Sequence, residues 1–145
     1  MTRVYVDIVG DLFHVGHINL FKQAIELFDD TYLIVGVHSD IAVKSYKRLP
    51  VICQEQRYEI VKNCRLVDEV IESAPLIITK EFIKHHKIDY VVHGNDMSES
   101  LKLQHNTPVK MNIAKYVKYT KGISTTSIIK KIIDREKLKN GKDIL

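Results

Sequence analysis

Apolar runs of strand length alternate along this chain with stretches whose apolar residues fall three and four apart, and that alternation leaves few architectures open. The runs are Val4–Val9, Tyr32–Val37, Glu69–Ile71 and Tyr90–His93, and between them lie His17–Phe28, Gln54–Asn63 and Thr79–His86. Strands that alternate with helices in this way predict a parallel sheet covered on both faces. The expected class is therefore α/β, a Rossmann-like doubly wound sheet. Ligands of such sheets bind at the carboxyl ends of the strands. Chemistry is thus expected in the stretches that begin at Val9, His38 and His93.

The rest of the chain is less regular. Asn95–Val109 reads as a long loop with a short helical turn around Leu101–Gln104, Tyr116–Tyr119 as a fifth strand, and Ser124–Ile133 as a helix. Ile128, Ile129, Ile132 and Ile133 are expected to pack that helix on the sheet, and the charged stretch from Glu136 to Lys142 is expected to fray. The plan is one domain over 1–135 followed by a tail over 136–145. A chain of 145 residues that is 45% hydrophobic and 28% charged suits a single core.

A net charge of +4 permits an anionic partner. The basic residues are nevertheless scattered from Arg3 to Lys142 among acids, and the few aromatics include no Trp, which argues against nucleic acid. Cys53 and Cys64 have neither a disulfide-framework nor a zinc spacing. Met1–Val9 is too short and polar for a signal peptide, and no apolar run approaches the ~20 residues a bilayer needs. A cytoplasmic protein without membrane association is expected.

Two local patterns carry chemistry. His14-Val15-Gly16-His17 stands directly after a predicted strand and opens a predicted helix. Imidazoles three apart share one helical face, beside the free N–H groups and positive dipole end that attract phosphate oxygens. Gly16 lacks the side chain that would hold a phosphate off the backbone. Metal ligation is a weaker reading, because a zinc site wants a third ligand and helical pairs usually stand four apart; a purely structural role is the other. The second pattern is Gly122-Ile123-Ser124-Thr125-Thr126, a glycine and three hydroxyls before an apolar-periodic helix. Any helix can start on Ser or Thr, but two such openings in one small sheet could grip a triphosphate from opposite ends.

From Val4 to about Ile133 the chain resembles the cytidylyltransferases that act on ethanolamine phosphate, choline phosphate or glycerol 3-phosphate. The resemblance rests on VDIVGDLFHVGH, LIVGVHSD, QEQRYEIVKNCRLVDEVIESAP, YVVHGND and TKGISTT, in that order. HGND is similar to the ethanolamine-phosphate enzymes. Leu76, where relatives often carry an aromatic, disfavours a quaternary ammonium, which aromatic faces typically hold.

The resemblance implies roles for single residues. His14 and His17 would stabilise charge on the α-phosphoryl group, and Lys47 would approach the α- and β-phosphates; without the resemblance Lys47 reads as a solvated lysine beside Lys44 and Arg48. The nucleotide would lie against Val9, Gly10, Asp11, Gly16, His93, Gly94, Asn95, Asp96, Tyr119, Thr120, Lys121, Gly122, Ile123, Ser124, Thr125 and Thr126. Asp7 would face the amine of the acceptor. For Asp7, Asp11 and Asp96 turn chemistry is the alternative. Arg57 and Arg65 would meet the acceptor phosphate or brace the fold. Mg²⁺ would accompany CTP, and the family implies a homodimer.

The chain departs from the family at two places. Ile8-Val9-Gly10 precedes Asp11 where relatives carry glycine followed two positions later by a bulky residue, and Tyr119 replaces an arginine, a bidentate phosphate donor. Lys118 and Lys121 flank that gap. The implied reaction is cytidylyl transfer to ethanolamine phosphate. Choline phosphate or glycerol 3-phosphate as acceptor, a nucleotide-binding module without turnover, and a membrane-surface role for the basic helix after Ser124 are the competing readings.

Overall fold

The computed structural model describes residues 1–142. Strands β1 (Thr2–Ile8), β2 (Thr31–Val37), β3 (Glu69–Glu72), β4 (Tyr90–Gly94) and β5 (Ala114–Val117) form one sheet in the order β3-β2-β1-β4-β5, with every pairing parallel. β1, β2 and β3 step outward in one direction, and the chain then crosses to the other side of β1 to lay down β4 and β5. The order reverses between β1 and β4, and the crevice outside their carboxyl ends is where such a sheet takes its ligand.

Alternation along the central strands feeds two cores. Val4, Val6 and Ile8 of β1 join Leu33, Val35 and Val37 of β2 on one face, closed by Phe21 and Ala24 of α1 (Val15–Glu26) and by Tyr58 and Val61 of α3 (Gln54–Lys62). Tyr5, Ile34 and Val91 point the other way and meet Ile83 of α4 (Lys80–His85) with Ile78 and Ile88. Gly36 is a glycine because a Cβ there would stand 2.0 Å from the Tyr5 hydroxyl. Asp7 shares the Tyr5 face, since side chains alternate along a strand. A carboxylate therefore lies at the end of an otherwise apolar row.

The structure revises four expectations. A five-residue helix, α2 (Asp40–Lys44), follows β2 where no periodicity signalled one. The stretch Asn95–Val109 holds two short helices, α5 (Glu99–Gln104) and α6 (Asn106–Lys110), jointed at His105. β5 begins two residues earlier than expected, because Val91–Gly94 pair with Ala114–Val117 and the chain then turns away. The last helix, α7 (Thr125–Lys142), runs through the tail expected to fray, and Ile132 and Ile133 stand 59% and 48% exposed instead of packing on the sheet. Residues 143–145 of that expected tail lie outside the described residues. Among those described, no helix is long and apolar enough to cross a membrane.

Candidate active site

His14 is the N-cap of α1, and its Nδ1 accepts the Gly16 N–H at 3.0 Å while Nδ1 of His17 accepts the His14 N–H at 3.1 Å. This is a capping box built from two imidazoles. A nitrogen that accepts carries no proton in the neutral ring, so each histidine keeps its proton on Nε2. Both rings border a cleft of about 390 Å³ at the carboxyl ends of β1 and β4, and Nε2–H is what each has left to offer a ligand there. Burial pulls His17 down to about 4, with His14 and Lys47 acting in the same sense against the His14 amide and Asp11; burial lowers His14 as well. Near neutrality both are uncharged donors. Gly16 has a different purpose from the one its sequence suggests: a Cβ would lie 2.7 Å from His14 Cε1, and its N–H is already taken, so the glycine makes room for the capping ring.

The turn before α1 is tight. Gly10 adopts φ +73° and Leu12 φ +50°, the left-handed region that costs a β-carbon-bearing residue strain. Asp11 stabilises the turn from below. Its two carboxylate oxygens accept the Val51 and Ile52 N–H groups at 2.9 Å each, and its carbonyl accepts the Thr125 hydroxyl at 2.7 Å. Asp11 thus joins the first turn, the loop before α3 and the start of α7, and it also borders the cleft.

Through that joint the second helix opening reaches the same cleft. Ser124 Oγ accepts the Ser127 N–H at 3.0 Å, and Ile123, Ser124, Thr125 and Thr126 line the wall facing His14 and His17. From α1, Gln23 exchanges hydrogen bonds with the Lys118 backbone at 2.8 and 3.1 Å, and Asn19 donates to Thr120 Oγ1 at 3.2 Å, so Lys118, Tyr119 and Thr120 are held at the rim. Lys121 and Gly122 lie off the cleft wall; Gly122, at φ +88°, forms the bend that brings the hydroxyls in.

Lys47 borders the cleft, its ammonium shifted downward by burial and by Arg48, with Asp11 opposing. Arg48, to which the sequence assigned nothing, borders it too and donates to Thr126 Oγ1 at 3.3 Å from both terminal nitrogens. On the β4 side His93, Gly94 and Asp96 line the cleft, with Val9 and Gly10 at its floor. Asn95 does not. Its Oδ1 accepts the Tyr119 N–H at 3.1 Å and ties the exits of β4 and β5 together.

Asp7 also borders the cleft, but its carboxylate is 2% exposed and engaged by two histidines: His105 Nε2 lies 3.0 Å from Oδ1 and His38 Nε2 3.2 Å from Oδ2. Burial pushes the carboxyl up, yet the bonds and charges of these imidazoles outweigh it and hold it below the ordinary carboxylate range. The same contact raises His105 against its own burial. His38 had a signal in the sequence, standing at the carboxyl end of β2. His105 had none, because it lies in an irregular stretch and meets Asp7 only through the tertiary fold.

The two arginines are not brought to the cleft. Arg57 is fully buried and donates to the Val9, His38 and Ile52 carbonyls and, at 2.7 Å, to Asp40, so it braces the loops after β1 and β2. Arg65 is exposed in the connection that leads into the amino end of β3, the far end of the sheet. Neither is placed to meet an acceptor phosphate. Leu76 is half-buried and likewise off the cleft wall.

A cytidylyltransferase-like family model matches residues 11–131. Choline-phosphate cytidylyltransferase 2 of Arabidopsis thaliana is 40% identical over 143 residues, covering 91% of this chain and 45% of that protein. A probable ethanolamine-phosphate cytidylyltransferase of Encephalitozoon cuniculi is 40% identical over 131 residues, covering 89% and 40%. The chain thus spans less than half the length of these curated relatives. Among solved structures, the lipopolysaccharide core biosynthesis protein of Thermoplasma volcanium matches with a TM-score of 0.65 and 26% identity, covering 85% of this chain and 99% of that one. The sheet order, the paired imidazoles at the first helix opening and the match over 11–131 agree, and the chain belongs to the cytidylyltransferase-like family.

Proposed function

We propose that this chain transfers CMP from CTP to ethanolamine phosphate, giving CDP-ethanolamine and pyrophosphate. The observation that carries the reading is the convergence of two helix openings, one bearing the His14 and His17 Nε2–H donors and the other the Ser124–Thr126 hydroxyls, on a cleft that also holds Lys47, Arg48 and the Asp7 carboxylate. Donors of that kind, fixed before the reaction, stabilise the charge of a phosphoryl transition state. A phosphate oxygen of the acceptor attacks the α-phosphorus, the bond to the α,β-bridging oxygen breaks, and pyrophosphate leaves with the electron pair. The nucleophile is already ionised, so no base is required, and positioning does the rest.

Magnesium enters with CTP as part of the substrate, held by phosphate oxygens and water. The donor set fits that arrangement, because Asp11 has given both oxygens to amides and offers the metal little. By family resemblance the protein works in the cytoplasm as a homodimer, which light scattering on a sizing column would check. Tyr119 at the rim, in place of an arginine, keeps a second reading in view, a CTP-binding module without turnover. A pyrophosphate-release assay with CTP, Mg²⁺ and a panel of phosphorylated acceptors separates the two. Release with ethanolamine phosphate supports transfer, whereas calorimetric CTP binding with no release from any acceptor overturns it.

A further inference from the structure

Where α7 opens, the wall of the cleft is rich in donors. The Arg48 side chain reaches over from the connection between α2 and α3, and both of its terminal nitrogens stand 3.3 Å from a single oxygen, Thr126 Oγ1. That connection is fixed on either side of the arginine: the Lys47 N–H donates to the Val43 carbonyl at 3.0 Å, and the Val51 and Ile52 amides donate to Asp11 at 2.9 Å each. Lys47 and Lys118 border the same cleft, and the first N–H groups of a helix such as α7 have no intrahelical partner. A guanidinium is a planar fork that fits two oxygens of one carboxylate or phosphate. Here both prongs converge on one uncharged hydroxyl at the long end of the hydrogen-bond range, and among the described residues no carboxylate pairs with Arg48. Arg3 and Arg57, by contrast, are spent on carbonyls and on Glu69 and Asp40. Among the described residues that line the cleft Arg48 is the one arginine, and the rim at 119 carries a tyrosine, whose phenol has a single donor and no positive charge.

We propose that Arg48 binds the terminal phosphates of CTP and holds the pyrophosphate as it leaves, a duty that Tyr119 cannot perform. In the transfer reading His14 and His17 meet the α-phosphoryl group at the first helix opening, so the far end of the triphosphate falls to the second opening, where Arg48 stands. As CTP enters, the fork leaves Thr126 Oγ1 for two phosphate oxygens, which frees the Thr126 hydroxyl to serve the ligand as well. When the bond from the α-phosphorus to the bridging oxygen breaks, its electron pair stays on that oxygen and negative charge grows on the pyrophosphate. A guanidinium already in place beside it stabilises that state more than the ground state. The proposal rests on the transfer reading above and adds the residue that serves its leaving group.

The test measures nucleotide affinity apart from turnover. Calorimetry on the full chain with Mg²⁺ compares CTP with CMP, which lacks the terminal phosphates. Arg48→Ala is expected to weaken CTP by roughly ten- to a hundredfold, the range for a lost hydrogen bond to a charged group, and to leave CMP within about twofold. Arg48→Lys, which keeps the charge without the fork, should recover part of the CTP affinity, and Arg48→Gln little of it. Equal losses for both nucleotides would mean that Arg48 only holds the α2–α3 connection in place, and an unchanged CTP affinity would mean that it stays on Thr126; either result overturns the proposal. So does a selective loss of CTP in Lys118→Ala with none in Arg48→Ala, which assigns the duty to the lysine. In steady-state assays with ethanolamine phosphate, Arg48→Ala is expected to lower kcat/KM for CTP at least as far as it lowers affinity while KM for the acceptor holds, and an effect confined to the acceptor KM also counts against it. Absence of pyrophosphate with every acceptor sinks the transfer reading but leaves the comparison of CTP with CMP standing, so the two readings fail separately.

Discussion

At the scale of single residues, His17 has two duties that one substitution separates from each other. Its Nδ1 holds the start of α1 and its Nε2–H faces the cleft. His17→Ala removes both, but the cap is worth about 1 kcal/mol and a preorganised donor to a transition state about 3 kcal/mol. The variant is expected to stay folded by circular dichroism and to lose a hundredfold or more in kcat. His17→Asn, whose side-chain oxygen can accept the His14 amide as Nδ1 does, should recover stability more than turnover. The same burial that dries the donor also fixes its charge. A titration of the His17 ring followed by NMR should show a midpoint of about 4, well below the ordinary 6.5; a midpoint near 6.5 in the free protein would mean the ring is solvated and not held as described. These two histidines were legible from sequence because both lie in one local pattern. His38 was signalled only by its place after β2, and Arg48 and His105 not at all, since their partners Thr126 and Asp7 are distant in the chain and only the fold joins them.

At the scale of elements, length decided what could be foreseen. β1, β2 and β4 are buried on both faces and read as apolar runs, and α1 shows its period over three turns. α2 and α6 have five residues each, too few for a period to register, while α5, as short as the foreseen α4, showed only as a turn around Leu101–Gln104; their ends are set by Ser39 and Ser98 caps and the His105 joint. α7 misled in the opposite way, since its isoleucines have the spacing of a packed face but, past the half-buried Ile128 and Ile129, Ile132 and Ile133 stand largely in solvent. Two substitutions measure that difference. Phe21→Ala empties a fully buried site and is expected to cost about 3–5 kcal/mol in urea unfolding, whereas Ile132→Ser, at 59% exposure, should change stability by no more than about 0.5 kcal/mol. A large cost for Ile132→Ser would mean that α7 is covered in solution. Gly16→Ala tests the first helix opening. Alanine favours a helix by about 1 kcal/mol over glycine, yet here its methyl would displace the His14 ring. Turnover is expected to fall at least tenfold with melting temperature little changed.

At the scale of the whole molecule, the Asp7 site fastens together parts of the chain that share no local structure: the end of β1, the residue after β2 and the joint between α5 and α6. Its electrostatics therefore contribute to global stability, and the two shifts give that contribution a pH window. Asp7 is held below its ordinary 3.8 in the folded state, so its share is present above that value and is lost as the solution becomes more acidic. His105 is raised above its ordinary 6.5, so its share is complete below that value and fades as pH climbs through the folded one. The pair contributes fully between these limits. His17 acts in the opposite sense over the same range: its folded value of about 4 means that the unfolded chain takes up its proton first, and stability drains as pH falls from 6.5. The difference between wild type and His105→Gln removes that background. The glutamine amide can still donate to Asp7, so the loss should stay within about 1–3 kcal/mol, greatest near pH 5 and shrinking as pH rises above neutrality. Urea midpoints measured from pH 4 to 9 check this, and a difference that grows toward alkaline pH would show that His105 meets Asp7 as a neutral ring.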